Sequence, residues 1–477
     1  MSTQNRLDRT DLYIGGKFVE AESTARVEAI NPATEQVVGS VPDASETDVD
    51  RAAAAARQAL DGWRRTSGAE RAAVLTAVAD ALAERAPEIA SLVTRENGAP
   101  KWWVERDVNV AVLSYRQAAR DAAELQPEQL VEDQLGRTLL RREPIGVVGA
   151  IAPWNSPNAL MAFKVAPALA AGCTVLAKPS PETSLDTYLL AEVYERAGLP
   201  AGVVNIVTGG PGTGAAVAAH PGVDKVSFTG STASGKAVAA ACAQSLKPVT
   251  AELGGKSAAV LLDDADIDEF VDSIHRECLP YSGQACYSTT RVIVPRSLHD
   301  EVVERAVAAL ADTPFGDPAD PATVMGPLVS ARQRDRVEAH LRSGVEQGAR
   351  VVLGGGRAPG FDTGFYIAPT VFTGVTPDMR IFAEEIFGPA LVVSSYDTED
   401  EAVVLHDATE YGLSGSVFSR DKDRATAFAR RLSTGQVLVN GRRGTPNVVR
   451  DMYKSSALGG GVDRVEGFLL TKAISQP

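Results

Sequence analysis

Cys286 lies in the segment Gly283-Gln284-Ala285-Cys286, and Glu252-Leu253-Gly254-Gly255-Lys256 lies a short way upstream. A cysteine attacks carbon as its thiolate, and a nearby carboxylate can accept the thiol proton or activate a water. Gly254 and Gly255 read as room for a ligand to approach the backbone. Cys173, Cys242 and Cys278 read instead as small buried hydrophobes, the ordinary fate of a free thiol. Cys286 differs in being followed by the polar run Tyr287-Ser288-Thr289-Thr290-Arg291.

Asn155 closes the turn Pro153-Trp154-Asn155, where its amide either donates to a developing oxyanion or stabilises its own turn. Two glycine-rich stretches bear on a nucleotide. Gly210-Pro211-Gly212-Thr213-Gly214-Ala215 nominally fits the dinucleotide fingerprint, but no acidic residue ends a second strand about 20 residues later. In Phe228-Thr229-Gly230-Ser231-Thr232-Ala233-Ser234-Gly235-Lys236, helix-start amides and Ser231 would hold a phosphate. Each stretch is equally a plain strand-to-helix turn. Lys178-Pro179-Ser180 puts a lysine at a strand end, within reach of ribose hydroxyls or phosphate. Glu384-Glu385-Ile386-Phe387-Gly388-Pro389 offers a ribose ligand with a stacking partner, or a polar turn with a core anchor.

These residues need a scaffold, and the apolar patterning supplies one. Asn5 to Val41 reads as short strands, with Gly15-Gly16 as a hairpin turn. Helices are expected after Ser45 and after Ser67, where Glu70 completes a capping box and Gly98 is the stop. Apolar strands at Val147–Ala152, Thr174–Ala177, Val203–Val207, Lys225–Phe228 and Ala258–Leu262 are separated by helical patterns near Ala159–Ala171, Thr187–Ala197 and Ser234–Gln244. That alternation predicts a parallel, doubly wound α/β sheet. Helices near Leu298–Ala311 and Ala331–Glu346, with strands at Val351–Leu353 and Leu391–Ser394, predict a second α/β domain. The boundary falls close to Glu252–Ser257, between the two candidate catalytic side chains, and a domain junction is a common place for a cleft.

With 477 residues, two or three domains are expected. A formal charge of −14 disfavours nucleic acid and anionic lipid as partners. No apolar run approaches the ~20 residues that span a bilayer, and no secretory signal is visible. Four cysteines make neither a disulfide framework nor a zinc pattern, and the five histidines are scattered, so no metal site is expected. A reducing cytoplasm is the natural setting.

Taken in order, these segments resemble the aldehyde dehydrogenase superfamily, in its NAD(P)-dependent, non-phosphorylating, non-acylating form, from about Tyr13 to Val449 and again in the final strand. The resemblance implies Cys286 as nucleophile, Glu252 as general base, and Asn155 with the Cys286 N–H as oxyanion donors. It implies a cofactor lying along Ile151, Pro153, Trp154, Lys178, Ser180, Glu182, Gly210, Gly214, Phe228, Gly230, Ser231, Gly235, Leu253, Glu385 and Phe387. Lys178 would bind the adenosine ribose, Ser231 the pyrophosphate and Glu385 the nicotinamide ribose. The implied domains are cofactor-binding (1–124 with 144–252), catalytic (253–450) and a small β oligomerisation unit (125–143 with 461–477), in a homodimer or homotetramer.

Asn158, Met161, Phe163, Tyr281, Tyr287 and Arg450 are expected to line the substrate pocket, with Arg442, Arg443 and Arg450 as positive charge at its mouth. The chain departs from the family where Gly459-Gly460-Gly461 replaces Gly-Arg-Glu, and where Pro181 stands in place of a glutamate, with Glu182 one residue on. NAD is the first choice of cofactor, with NADP kept open. The rival readings are an enzyme that passes the acyl group to coenzyme A and a catalytically silent cofactor binder.

Overall fold

The computed structural model describes residues 6–134, 136–442 and 451–476. Its largest sheet has eight strands, in the order Ala457–Leu458, Val249–Glu252, Lys225–Thr229, Val147–Ile151, Thr174–Lys178, Val204–Ile206, Asp11–Ile14 and Lys17–Glu20. The five from Val249–Glu252 to Val204–Ile206 are parallel. The hairpin expected at Gly15-Gly16 forms the antiparallel edge, both glycines taking positive φ (66° and 78°).

The chain winds outward from Val147–Ile151 in one direction, then returns to lay Lys225–Thr229 on its other side. That reversal opens a crevice at the carboxyl ends of these two strands, the usual ligand position in such a sheet. Pro153-Trp154-Asn155 follows the first strand and Gly230–Gly235 the second.

Helices cover the sheet. α1 (Glu46–Trp63) and α2 (Gly68–Asn97) begin with the capping boxes Ser45/Asp48 and Ser67/Glu70, and Gly98 ends α2 at φ 72°. α3 (Lys101–Glu124) follows after three residues and was not delineated in the sequence, because it starts on Pro100 with no side-chain cap. α4 (Pro157–Ala171) is buried nearly all round, whereas α5 (Asp186–Arg196) buries one face. α6 (Pro211–Ala219) and α7 (Thr232–Ala243) follow the two glycine-rich turns.

A second sheet has seven strands, in the order Arg350–Leu353, Thr370–Thr373, Ala390–Tyr396, Arg291–Pro295, Ala258–Leu261, Ser414–Phe418 and Gln436–Val439. All its pairings are parallel except that of Arg350–Leu353. Its five inner strands are almost wholly buried, as parallel strands covered on both faces must be. The fold is therefore mixed α/β with two parallel-centred sheets. The chain crosses from one to the other through Leu253–Ser257.

The sequence pattern of the last residues reads as a strand over Gly467–Ile474, and the observed strand begins two residues later. Val465–Phe468 forms a tight helical turn, and Leu469–Gln476 then pairs antiparallel with Gly136–Pro144. With Glu128–Asp133 these strands make an exposed three-stranded sheet whose edge carries Leu470 and Ile474. Among the described residues no helix is long and apolar enough to cross a membrane.

Candidate active site

The segment carrying Cys286 is held in a costly conformation. Tyr281 and Ser282 take left-handed φ values of 46° and 55°, and Gly283 follows at 74°. Such angles cost a non-glycine residue roughly 1–3 kcal/mol and persist only where the surroundings over-determine them. Here they do. Tyr281 Oη donates to Asn97 O at 2.7 Å, and Ser282 Oγ donates to Gly326 O at 2.7 Å. The Gln284 Oε1 accepts from Val329 N at 3.0 Å. Gly283 has no substitute, since a Cβ there would lie 2.1 Å from Gly388 O.

Asn155 joins the same construction. Its Nδ2 donates to Gln284 O at 3.0 Å, and its own carbonyl accepts from Trp103 Nε1 at 2.9 Å. The amide is therefore fixed against the residue two positions before Cys286, with its second N–H available to donate to an acceptor.

Glu252 ends its strand in register with Thr229 and with Ala457. Its carboxylate lies close enough to the Cys286 thiol to act on it electrostatically. Burial first, and then the charge of Glu252, pushes the thiol well above its ordinary pKa, while the Tyr287 N–H partly opposes this. The resting thiol is thus neutral. Cys286 is partly exposed, whereas the other three cysteines are buried.

The two glycines after Glu252 serve a purpose different from the one expected. A Cβ on Gly255 would meet Cys286 O at 2.5 Å, and one on Gly254 would meet Glu385 Oε2 at 2.8 Å. The space they leave is filled by the protein itself. They let the Cys286 segment and Glu385 close on the Glu252 strand, and Glu385 Oε1 accepts from Gly255 N at 3.0 Å. Ser456, which the sequence did not single out, fixes the segment from the other side: its Oγ donates to Gly254 O at 2.7 Å and its carbonyl accepts from Leu253 N at 2.9 Å.

A second unforeseen group is Lys164, a buried lysine inside apolar α4. Its Nζ donates to Thr229 Oγ1 at 2.7 Å and Ser227 Oγ at 3.2 Å and lies 3.9 Å from Asp463, within the field of Glu252. A charge embedded in an otherwise apolar helical run was the available signal.

The two glycine-rich turns differ. At α6 the helix start is closed by the chain's own carboxylate: Asp43 accepts from Gly210 N at 2.9 Å and from Thr213 Oγ1 at 3.2 Å. At α7 only Ser231 caps, its Oγ accepting from Ser234 N at 3.2 Å. A Cβ on Gly235 would come 2.3 Å from Leu253 Cδ2, so glycine is what lets α7 sit on the Glu252 strand end. Ile151, Phe228 and Leu253 lie together in the core beneath this turn.

Lys178 is buried at its strand end beside Gly214, and burial lowers its pKa to about 8, with Glu182 and Asp43 opposing. Glu182 accepts from Ser180 Oγ at 2.5 Å and lies 3.4 Å from Arg332. Phe387 sits at φ 58°, its ring 5.4 Å from Trp154 in a T-shaped contact, and Pro153 is half-buried beside them. An α7 start capped by the Ser231 hydroxyl, a buried lysine and the Glu385–Phe387 segment suit an anionic dinucleotide.

The expected pocket residues separate. Tyr287 follows the thiol and is half-buried, and Phe163 is exposed on α4. Met161 and Tyr281 are core residues, and the Asn158 amide donates to Asp186 Oδ2 at 3.3 Å. Arg442 lies among Asp266, Asp268, Glu269 and Asp272, 3.6 Å from Glu269, so its charge is answered by carboxylates. Arg443 and Arg450 lie outside the described residues. Among those residues no group of three or more His, Cys, Asp or Glu side chains is arranged to hold a metal.

Two parallel-centred sheets, with a thiol, a carboxylate and an amide brought together at the crevice of the first, define the class as mixed α/β. The Aldehyde dehydrogenase family profile matches residues 18–472, and the chain belongs to that family. Geranial dehydrogenase of Castellaniella defragrans is 46% identical over 95% of each chain. An aldehyde dehydrogenase of Mycobacterium tuberculosis complexed with NAD+ superposes with a TM-score of 0.96 at 40% identity, over 99% of each chain. A cysteine-to-alanine mutant of aldehyde dehydrogenase C from Pseudomonas syringae, complexed with NAD+ and octanal, gives 0.93 at 41% identity, covering 98% of this chain and 96% of that one.

Proposed function

We propose that this protein oxidises an aldehyde to a carboxylic acid with NAD+, using Cys286 as nucleophile and Glu252 as general base. The observation that carries the reading is the close packing of the Cys286 segment on the Glu252 strand end, which sets the thiol in the field of the Glu252 carboxylate beside the fixed amide of Asn155. Glu252 takes the thiol proton as sulfur bonds to the aldehyde carbon, and the carbonyl oxygen gains a negative charge. The second N–H of Asn155 and the Cys286 backbone N–H are the donors for that oxyanion. NAD+, when bound, supplies the hydride acceptor that leaves the carbon as a thioester. Glu252 first releases the thiol proton to solvent, then removes a proton from water as the water oxygen attacks the thioester carbon; the C–S bond breaks and that proton passes to the sulfur.

In this reading Lys178 binds the adenosine ribose, Ser231 and the Gly230–Gly235 turn the pyrophosphate, and Glu385 the nicotinamide ribose. Glu182, close enough to act on Lys178, favours NAD over NADP, because a carboxylate repels a 2′-phosphate. Residues 1–124 with 144–252 form the cofactor domain, 253–450 the catalytic domain, and 125–143 with 461–477 the sheet through which copies of the chain pair. The exposed strand Leu469–Gln476, with Leu470 and Ile474, supports that pairing. A reducing cytoplasm suits the free thiols.

An aldehyde panel with NAD and NADP, with the product identified in the presence and absence of coenzyme A, tests the reading. Acid as product in both conditions is the expected result. A thioester that appears with coenzyme A would replace hydrolysis by acyl transfer, and cofactor binding without turnover would make the chain a silent binder.

A further inference from the structure

Arg106, on α3, is held at the outer side of the residue that follows the nucleophile. Its Nη1 donates to Tyr287 Oη at 3.2 Å, and its guanidinium carbon lies 5.0 Å from the centre of the Trp103 ring. Both partners belong to the catalytic construction. Trp103 holds the Asn155 carbonyl, and the Tyr287 N–H reaches the Cys286 thiol. The guanidinium is therefore fixed relative to Cys286 through two rigid aromatic side chains.

Its charge is left unspent. Arg106 is exposed, and among the described residues no carboxylate lies within 4 Å of it. The neighbouring acids are turned elsewhere. Glu105 pairs with Lys101 at 3.7 Å. Asp107 points inward, each of its oxygens accepting a backbone N–H, from Asn158 and Ala159, at 3.1 Å. A guanidinium has five N–H donors, and the Tyr287 hydroxyl takes one. Arginine stacked on an indole also loses little entropy when it engages a carboxylate.

We propose that Arg106 is a specificity-determining residue that selects aldehydes by the charge at their far end, favouring a carboxylate and disfavouring an ammonium. The proposal rests on Cys286 being the nucleophile, because Arg106 is placed only through that residue's neighbours. A partly solvated cation facing opposite and like charges gives a preference on the order of tenfold between matched anionic and cationic tails.

The test is kcat/KM for 8-oxooctanoate, octanal and 8-(trimethylammonio)octanal with the full-length protein, Arg106→Gln, Arg106→Lys and Arg106→Glu. Each charged substrate is normalised to octanal in the same variant. The expected anion-to-cation ratio is about tenfold in the unaltered protein and in Arg106→Lys, near unity in Arg106→Gln, and inverted in Arg106→Glu, shrinking in high salt. A ratio that does not move between Arg106→Gln and Arg106→Glu overturns the proposal while leaving Cys286 chemistry intact. No reduced nicotinamide from any of the three aldehydes, with the unaltered protein, overturns the catalytic reading and this inference with it.

Discussion

Cys278 and Cys286 stand eight residues apart on one segment, and both thiols are pushed above the ordinary cysteine value, Cys278 to about 12. Their neighbours separate them. Cys278 is fully buried in an apolar cluster and hydrogen-bonds the Thr289 hydroxyl at 3.3 Å. Cys286 opens to the crevice and meets a carboxylate. A raised pKa does not mark a nucleophile by itself; what matters is whether a base stands ready to take the proton and whether a carbonyl can reach the sulfur.

The largest expected effect tests that contrast directly. Cys286→Ala should form no reduced nicotinamide from any aldehyde, a loss of roughly 10³-fold or more. Cys278→Ala should keep its turnover and lose about 1 kcal/mol of stability, seen as a lower denaturation midpoint. Activity surviving in Cys286→Ala would remove the distinction. Next in size, Glu252→Gln should still show a burst of reduced cofactor, because loss of the negative charge lowers the thiol pKa and lets solvent take its proton, and should lose about 10²–10⁴-fold in the steady state, where water must be activated. An unchanged steady-state rate would take Glu252 out of its role.

The pH dependence sharpens the same comparison, and its sign is fixed. Glu252 raises the Cys286 pKa by its negative charge, so a neutral glutamine must lower it. Alkylation of Cys286 by iodoacetamide, followed against pH by mass spectrometry, should shift to lower pH in Glu252→Gln. Cys278 should stay unlabelled in the folded protein at every pH. A profile that ignores Glu252 would mean that the thiol is raised by burial alone.

How far these features could be read in advance followed the distance over which their causes act. The capping boxes at Ser45 and Ser67, the Gly15-Gly16 hairpin and the apolar parallel strands depend on residues a few positions apart, and the sequence displayed them. The candidate chemistry was legible because Cys286, Glu252 and Asn155 each sit in a distinctive local setting. The role of Gly254 and Gly255 was not, because it is set by Cys286 and Glu385, which arrive from far along the chain. The same holds for Asp43 closing α6: nothing near Gly210 in sequence announces a carboxylate 167 residues away. Lys164 and Ser456 were missed for this reason, and Arg106 reads as one more surface arginine until Tyr287 and Trp103 are placed beside it.

The smallest effect concerns the strained turn that presents the nucleophile. Tyr281→Phe removes the hydroxyl that donates to Asn97 O and leaves the ring packed between Trp103 and Trp154, 5.8 Å and 6.3 Å away. The loss is one buried hydrogen bond, about 1 kcal/mol of stability, with the Asn97 carbonyl left short of a partner. That bond also helps to hold a left-handed residue five positions before Cys286, so its removal lets the segment relax toward commoner angles. Asn155 still grips Gln284 O, so the sulfur is loosened and not lost. The expected result is a kcat reduced a few-fold, an unchanged KM for NAD, and Cys286 alkylation that loses part of its dependence on Glu252. A kcat that stays at the parent value while stability falls by the expected amount would make the strain a feature of folding and not of the chemistry at Cys286.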